Sequence, residues 1–202
     1  MKQTPLQNNG SVRVPRGVET ASPDWLPRVR RVASPNCDAR PDPDDISLLV
    51  IHGISLPPGR FGGPWVEALF TNTLDPGADP AFASIAALRV SAHLFVRRDG
   101  RTVQFVPLRQ RAWHAGVSAF QGRERCNDYS IGIELEGTDE RAYTERQYRR
   151  LVVLCRQLMQ RFPAITPNRV VGHSDIAPGR KTDPGPAFDW IRLRRALRAG
   201  VK

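Results

Sequence analysis

Tyr129-Ser-Ile-Gly-Ile-Glu-Leu-Glu136 alternates Ile131, Ile133 and Leu135 with Gly132, Glu134 and Glu136. A period of two is that of a β-strand, so the three aliphatics share one face and the two glutamates share the other with Gly132. A central strand of an α/β sheet has both faces covered, which would bury Glu134. Two more strand-like runs end in a polar ring, Leu48-Leu-Val-Ile-His52 and Val170-Val-Gly-His173. Loading His, Glu and His onto a half-buried sheet costs desolvation energy that a metal or a catalytic network usually offsets. The pattern points to a metalloenzyme.

Outward from these strands, Thr144-Glu-Arg-Gln147 fits a capping box, followed by Tyr148, Leu151, Val152, Cys155, Leu158, Met159 and Phe162 at helical spacing until Pro163. That stripe reads as core packing rather than as a ligand box. Ala92–Arg97 and Thr102–Val106 flank Arg98-Asp-Gly-Arg101, which predicts a hairpin with a type I′ turn. A first strand is expected over Ile46–Ile51 and a short helix from Pro64, at its first position, to Thr71; a last basic helix is expected over Phe188–Arg198. Strand, short helix, hairpin, strand, long helix, strand and helix in that order predict an α/β fold, a single domain with a central mixed β-sheet flanked by helices.

The 202 residues, 40% hydrophobic, suffice for one core but not comfortably for two. Residues 1–24 are polar, carry Pro5, Pro15 and Pro23, and read as a flexible N-terminal extension to a domain over 25–202. Thirty Lys and Arg against 20 Asp and Glu give +10, which suits an anionic partner. No nucleic-acid reader motif, P-loop, G-x-G-x-x-G, H-E-x-x-H or nucleophile elbow occurs, so we expect no nucleic-acid partner. No apolar run approaches the roughly 20 residues of a membrane span, and no membrane association or obligatory protein partner is inferred. Cys37, Cys126 and Cys155 are odd in number and irregularly spaced, so a disulfide framework is not expected and a reduced, cytoplasmic protein is.

His52 is expected at or just beyond the carboxyl end of its strand, where α/β sheets place ligands. His173 opens His-Ser-Asp-Ile-Ala-Pro-Gly-Arg-Lys-Thr-Asp-Pro-Gly-Pro, an irregular, stiff loop able to bring a carboxylate, Asp175 or Asp183, back to the imidazole. Two histidines and one carboxylate suit zinc and leave a fourth position for water. Hydrolysis also needs a base and a group to stabilise an oxyanion, types that Glu134 and Lys181 supply. His93 and His114 are rival ligands by residue type, but each reads as a wall or packing residue. Arg89, Arg123 and Arg125 carry planar forks suited to carboxylates, against a background of ordinary surface charge.

Several blocks carry a resemblance: Ser55-Leu-Pro-Pro-Gly with Phe61-Gly-Gly-Pro-Trp65, Leu88-Arg-Val-Ser-Ala-His93, Ala112-Trp-His-Ala-Gly-Val-Ser118, Gln121–Asp128, Ile131–Asp139 and Gly172–Trp190. Over roughly Trp25 to Trp190 the chain resembles the cytoplasmic N-acetylmuramyl-L-alanine amidases of muropeptide recycling, the AmpD type, in the amidase family that includes the peptidoglycan-recognition proteins. The resemblance implies one zinc ion on His52, His173 and Asp183, Glu134 as catalytic glutamate and Lys181 as transition-state lysine. It also implies Arg89 and Arg125 at the substrate, a small anionic muropeptide, preferentially with a 1,6-anhydro ring. An intact-wall lytic amidase and a non-catalytic peptidoglycan-binding module are the alternatives. Two departures stand out: Gly53 where the family type has Asn, which bears on a substrate contact, and a longer N-terminal tail.

Overall fold

The computed structural model describes residues 24–199; the proposed extension, Asp24 apart, lies outside the described residues. In chain order the elements are β1 (Arg30–Arg31), β2 (Cys37–Ala39), β3 (Leu48–Ile54), α1 (Trp65–Phe70), β4 (Leu94–Val96), β5 (Thr102–Gln104), β6 (Gln110–Ala112), β7 (Ala119–Phe120), β8 (Arg123–Glu124), β9 (Ser130–Glu136), α2 (Glu145–Arg161), β10 (Val170–Gly172), α3 (His173–Ile176) and α4 (Trp190–Arg198). Six strands form one sheet in the order β1-β5-β4-β9-β3-β10. Every pairing in it is parallel except β4 with β5, so the sheet is mixed, as expected. β2 with β6 and β7 with β8 make two small antiparallel ribbons.

β9 is central and wholly buried, with β4 on one side and β3 on the other. Ile131, Ile133 and Leu135 pack with Leu49 and Ile51 against the α2 stripe of Tyr148, Leu151, Leu154, Cys155 and Leu158, and against Leu193 and Leu197 of α4. Each such fully buried side chain contributes about 1.5–3 kcal/mol relative to exposure. The opposite face splits into two smaller clusters: Phe95 and Val103 lie under α1, and Leu48 and Val50 pack with Tyr129, Val171 and Ile176. Between those clusters the sheet carries polar groups.

α2 begins with the expected capping box. Thr144 Oγ1 accepts the Gln147 N–H (3.1 Å), and Gln147 Oε1 accepts the Thr144 N–H (3.0 Å). The Gln147 amide also donates to the Glu136 carbonyl (2.9 Å), tying the helix start to the end of β9. The three cysteines are free, Cys126 and Cys155 being buried. No helix among the described residues is long and apolar enough to cross a membrane.

Four local expectations shift. The hairpin closes through a three-residue loop, Arg98-Asp-Gly100. Gly100 donates to the Arg97 carbonyl, Arg97 and Arg101 pair, and Gly100 alone adopts positive φ (+84°). A type I′ turn needs positive φ at both central residues, a conformation Asp99 does not adopt here. Pro64 is the residue that caps α1 rather than its first helical residue. The first strand starts at Leu48 and runs on to Ile54, because β9 continues beside it to Glu136 and supplies ladder partners for Gly53 and Ile54. His52 therefore sits within the strand rather than at its end.

Candidate metal centre and active site

The front face of β3 and β9 presents His52 and Glu134 side by side, paired in register. β10 lies on the other side of β3 and delivers His173 as the first residue of α3. The chain then loops back: Lys181 N–H binds the Ala177 carbonyl (3.0 Å), and Ser174 N–H binds the Asp183 carbonyl (3.0 Å). Tyr143 Oη anchors the far end on the Pro184 carbonyl (3.0 Å). A Cβ on Gly53 would stand 2.4 Å from that hydroxyl, so glycine at this position leaves Tyr143 its place. The loop thus returns Asp183 to the histidine that opens it.

Three donor atoms converge. His52 Nδ1 and His173 Nδ1 are 3.0 Å apart, and Asp183 Oδ2 is 3.2 Å from each. Tetrahedral zinc with bonds of about 2.0–2.1 Å places neighbouring donors about 3.3 Å apart. The spacing fits such an ion, and the donor set of two imidazoles and a carboxylate fits its chemistry. Among the described residues this is the group whose donors could share one metal ion. Asp175, the other carboxylate considered, instead accepts the N–H of Gly172 (2.7 Å) and caps α3.

The electrostatics separate the groups. Burial lowers the His52 pKa to about 4, opposed by the neighbouring Asp183 carboxylate, so the ring is neutral and keeps one nitrogen lone pair. Burial would raise the Asp183 carboxyl, but the facing imidazoles of His173 and His52 outweigh it and hold the group below the ordinary carboxylate range. Glu134 goes the other way. Burial and the Asp183 charge push it well above that range, opposed by Lys181. Glu134 Oε2 is buried with no hydrogen-bond partner among the described residues. An orphan carboxylate oxygen in a native interior calls for a ligand, a cation or a water.

These groups line a cavity of about 230 Å³ with Trp113, Leu88, Val90 and Lys181, the last at its exposed rim. A larger cavity of about 990 Å³ lies beyond Gly62 and Glu136 among arginines, but it contains none of the converging donors. The converging donors line the smaller one.

Arg89 and Arg125 are not brought into this cluster. Arg89 is exposed and donates to the Ala87 carbonyl (3.2 Å), while its neighbours Leu88 and Val90 line the cavity. Arg125, with positive φ, pairs with Asp128 (3.1 Å) and lines a separate cavity with Val117 and Arg180. Arg123 pairs with Asp45 at the surface. His93 is occupied by backbone: its Nδ1 accepts the Gly132 N–H (3.0 Å), leaving Nε2–H for the Gln110 carbonyl (3.0 Å). His114 is half-buried in the cavity wall, with Nδ1 2.9 Å from His52 Nε2 on the side away from the converging donors. This contact was hidden in the sequence. The one signal was Gly132 inside a buried strand, since such a glycine marks close approach by another group.

Comparison with known proteins shows the family. The family model described as N-acetylmuramoyl-L-alanine amidase matches residues 42–186. AmpD of Citrobacter freundii, a 1,6-anhydro-N-acetylmuramyl-L-alanine amidase, is 64% identical over 170 residues, covering 84% of this chain and 90% of that protein. A crystal structure of a selenomethionine AmpD derivative matches with TM-score 0.84 at 63% identity, covering 86% of this chain and 97% of that one. AmiD of Escherichia coli, in complex with the substrate anhydro-N-acetylmuramic acid-L-Ala-D-gamma-Glu-L-Lys, matches with TM-score 0.56 at 33% identity, over 75% of this chain and 57% of that one. With the family model spanning the site from His52 to Asp183 and these relatives spanning the sheet, the chain belongs to the N-acetylmuramoyl-L-alanine amidase family.

Proposed function

We propose that the chain, through a domain over residues 25–202, hydrolyses the amide between the lactyl group of 1,6-anhydro-N-acetylmuramic acid and the L-alanine of a stem peptide. The reading depends on one zinc ion held by His52, His173 and Asp183 and places the enzyme in cytoplasmic muropeptide recycling. The observation that carries it is the meeting of those three donors beside a buried, unpartnered carboxylate. The relative of 64% identity is named for this reaction, and the AmiD complex holds an anhydromuramyl peptide.

Zinc, when bound, supplies Lewis-acid polarisation of the carbonyl and an acidified water. Glu134 is the proton carrier. Its Oε2 has no hydrogen-bond partner among the described residues, and burial raises its pKa, which suits a group that accepts the proton of the attacking water and returns it to the departing alanine nitrogen. Lys181, at the rim, would supply an ammonium to the developing oxyanion. Trp113, Leu88 and Val90 give the reacting centre an apolar wall. Arg89 and Arg125, both exposed, would meet carboxylates of the muropeptide.

The test is mass spectrometry of products from a purified 1,6-anhydro-muropeptide, with chelator, without it, and after zinc is restored. Free stem peptide with the parent and restored enzyme, but not under chelation, is expected. Peptide release that chelation leaves untouched would overturn the zinc reading. Faster release from intact sacculi than from the soluble substrate would make the enzyme a wall-lytic amidase instead.

A further inference from the structure

His114 and Ala115 are adjacent, and each meets one of the two converging histidines on its outer side. The Ala115 carbonyl lies 3.1 Å from His173 Nε2 and His114 Nδ1 lies 2.9 Å from His52 Nε2. Both residues are pinned by one side chain: Asn127 Oδ1 accepts the N–H of His114 (3.2 Å) and of Ala115 (2.8 Å). The His114 ring lies over Gly132, where a Cβ would come within 2.5 Å of its Cγ, and crosses the His52 ring nearly at right angles (84°). Its remaining nitrogen, Nε2, is 3.2 Å from the buried Ser130 Oγ.

We infer that His114 is a positioning residue for the metal site, accepting the Nε2–H of His52 and so holding that ring in the tautomer that turns its Nδ1 lone pair to the ion. The inference rests on the zinc reading above. A neutral imidazole carries one proton, and a metal on His52 Nδ1 leaves that proton at Nε2. His114 Nδ1 must then be the acceptor, which puts the His114 proton at Nε2, pointing to Ser130 Oγ. The chain of donors therefore runs in one direction, from His52 through His114 to Ser130. For His173 the backbone does the same work: its Nε2–H goes to the Ala115 carbonyl, leaving Nδ1 free. Partners of this kind are usually carboxylates or carbonyls. Here one of the two is a second imidazole, which orients without adding negative charge.

The experiment measures zinc affinity by competition with a chromophoric chelator in the parent, His114→Leu and His114→Gln. Leucine removes the acceptor, whereas the glutamine carbonyl can replace it. Loss of such a partner weakens binding about 10–100-fold, so His114→Leu should fall in that range and His114→Gln should recover most of the loss. Independently, nitrogen-15 NMR of the zinc-loaded parent should show coupling across the His52 Nε2–H···Nδ1 His114 bond and a proton on His114 Nε2. That second measurement decides the matter should the leucine variant fail to fold. A leucine variant binding zinc within threefold of the parent, or a proton on His114 Nδ1, would overturn the inference while leaving the zinc reading intact. A parent that binds no zinc would instead sink the zinc reading and this inference with it.

Discussion

His52 and Glu134 are in-register neighbours on adjacent parallel strands, held about one strand spacing, ~4.8 Å, apart by the β3–β9 ladder. An imidazole of the candidate metal site and a carboxylate with an oxygen unpartnered among the described residues are thereby fixed relative to each other by backbone hydrogen bonds, not by mobile loops. His173, at the start of α3, and the loop after it, with Asp183 and the rim lysine, complete the candidate site.

Replacing Glu134 by Gln keeps the shape of the site and removes the proton carrier. Zinc affinity should stay within about threefold of the parent, and turnover should fall by about 10²–10⁴, the usual contribution of general acid–base catalysis. Steady-state kinetics beside a metal titration check both. Turnover within tenfold of the parent would remove Glu134 from the mechanism.

Gly132→Ala tests the notch beneath His114. Alanine in a strand ordinarily gains about 0.5–1 kcal/mol over glycine. Here the new Cβ would meet the His114 ring at 2.5–2.7 Å, and overpacking of that kind costs about 1–3 kcal/mol. Urea denaturation should therefore show a loss of stability; a gain would mean the ring moves aside freely.

Arg40 is a buried guanidinium bonded to carbonyls rather than to a carboxylate. Its Nη1 donates to Asn127 (2.9 Å) and Asp128 (3.1 Å), and its Nη2 to Ser130 (2.7 Å) and Leu108 (3.3 Å). Arg40→Met leaves these carbonyls without that donor, next to the segment that holds His114. Hydrogen bonds to charged groups contribute about 1.5–3 kcal/mol each, so a loss of at least about 3 kcal/mol is expected in chemical denaturation. A loss below 1 kcal/mol would mean that water replaces the guanidinium.

The buried histidines set an acid limit on the metal-free protein. Burial and the facing Arg40 lower the His93 pKa to about 3, and burial lowers that of His52 to about 4, against about 6.5 in an unfolded chain. Above pH 6.5 both states carry neutral rings and this contribution to stability is complete. Below it the unfolded chain takes up protons that the fold refuses. Each ring then removes about 1.4 kcal/mol per pH unit, until about pH 4 for His52 and about pH 3 for His93. Urea midpoints of chelated protein should fall between pH 7 and pH 5; unchanged midpoints would contradict neutral, enclosed rings.

Much of the architecture was legible in residue order, because strand alternation, helical spacing and capping are local properties. The faces of Ile131–Glu136, the Thr144–Gln147 box and the α2 stripe all stand where the pattern placed them. The donor types were legible too, as histidines and carboxylates beside strand-like runs. Spacing did not choose between Asp175 and Asp183, nor reveal that His114 and Ala115 back the two histidines. Those outcomes depend on which atoms meet after β10 docks beside β3 and the 173–186 loop folds back, contacts between residues tens of positions apart. The same holds for the strand passing beyond His52: its length is decided by the neighbouring strand that satisfies its backbone, not by its own side chains.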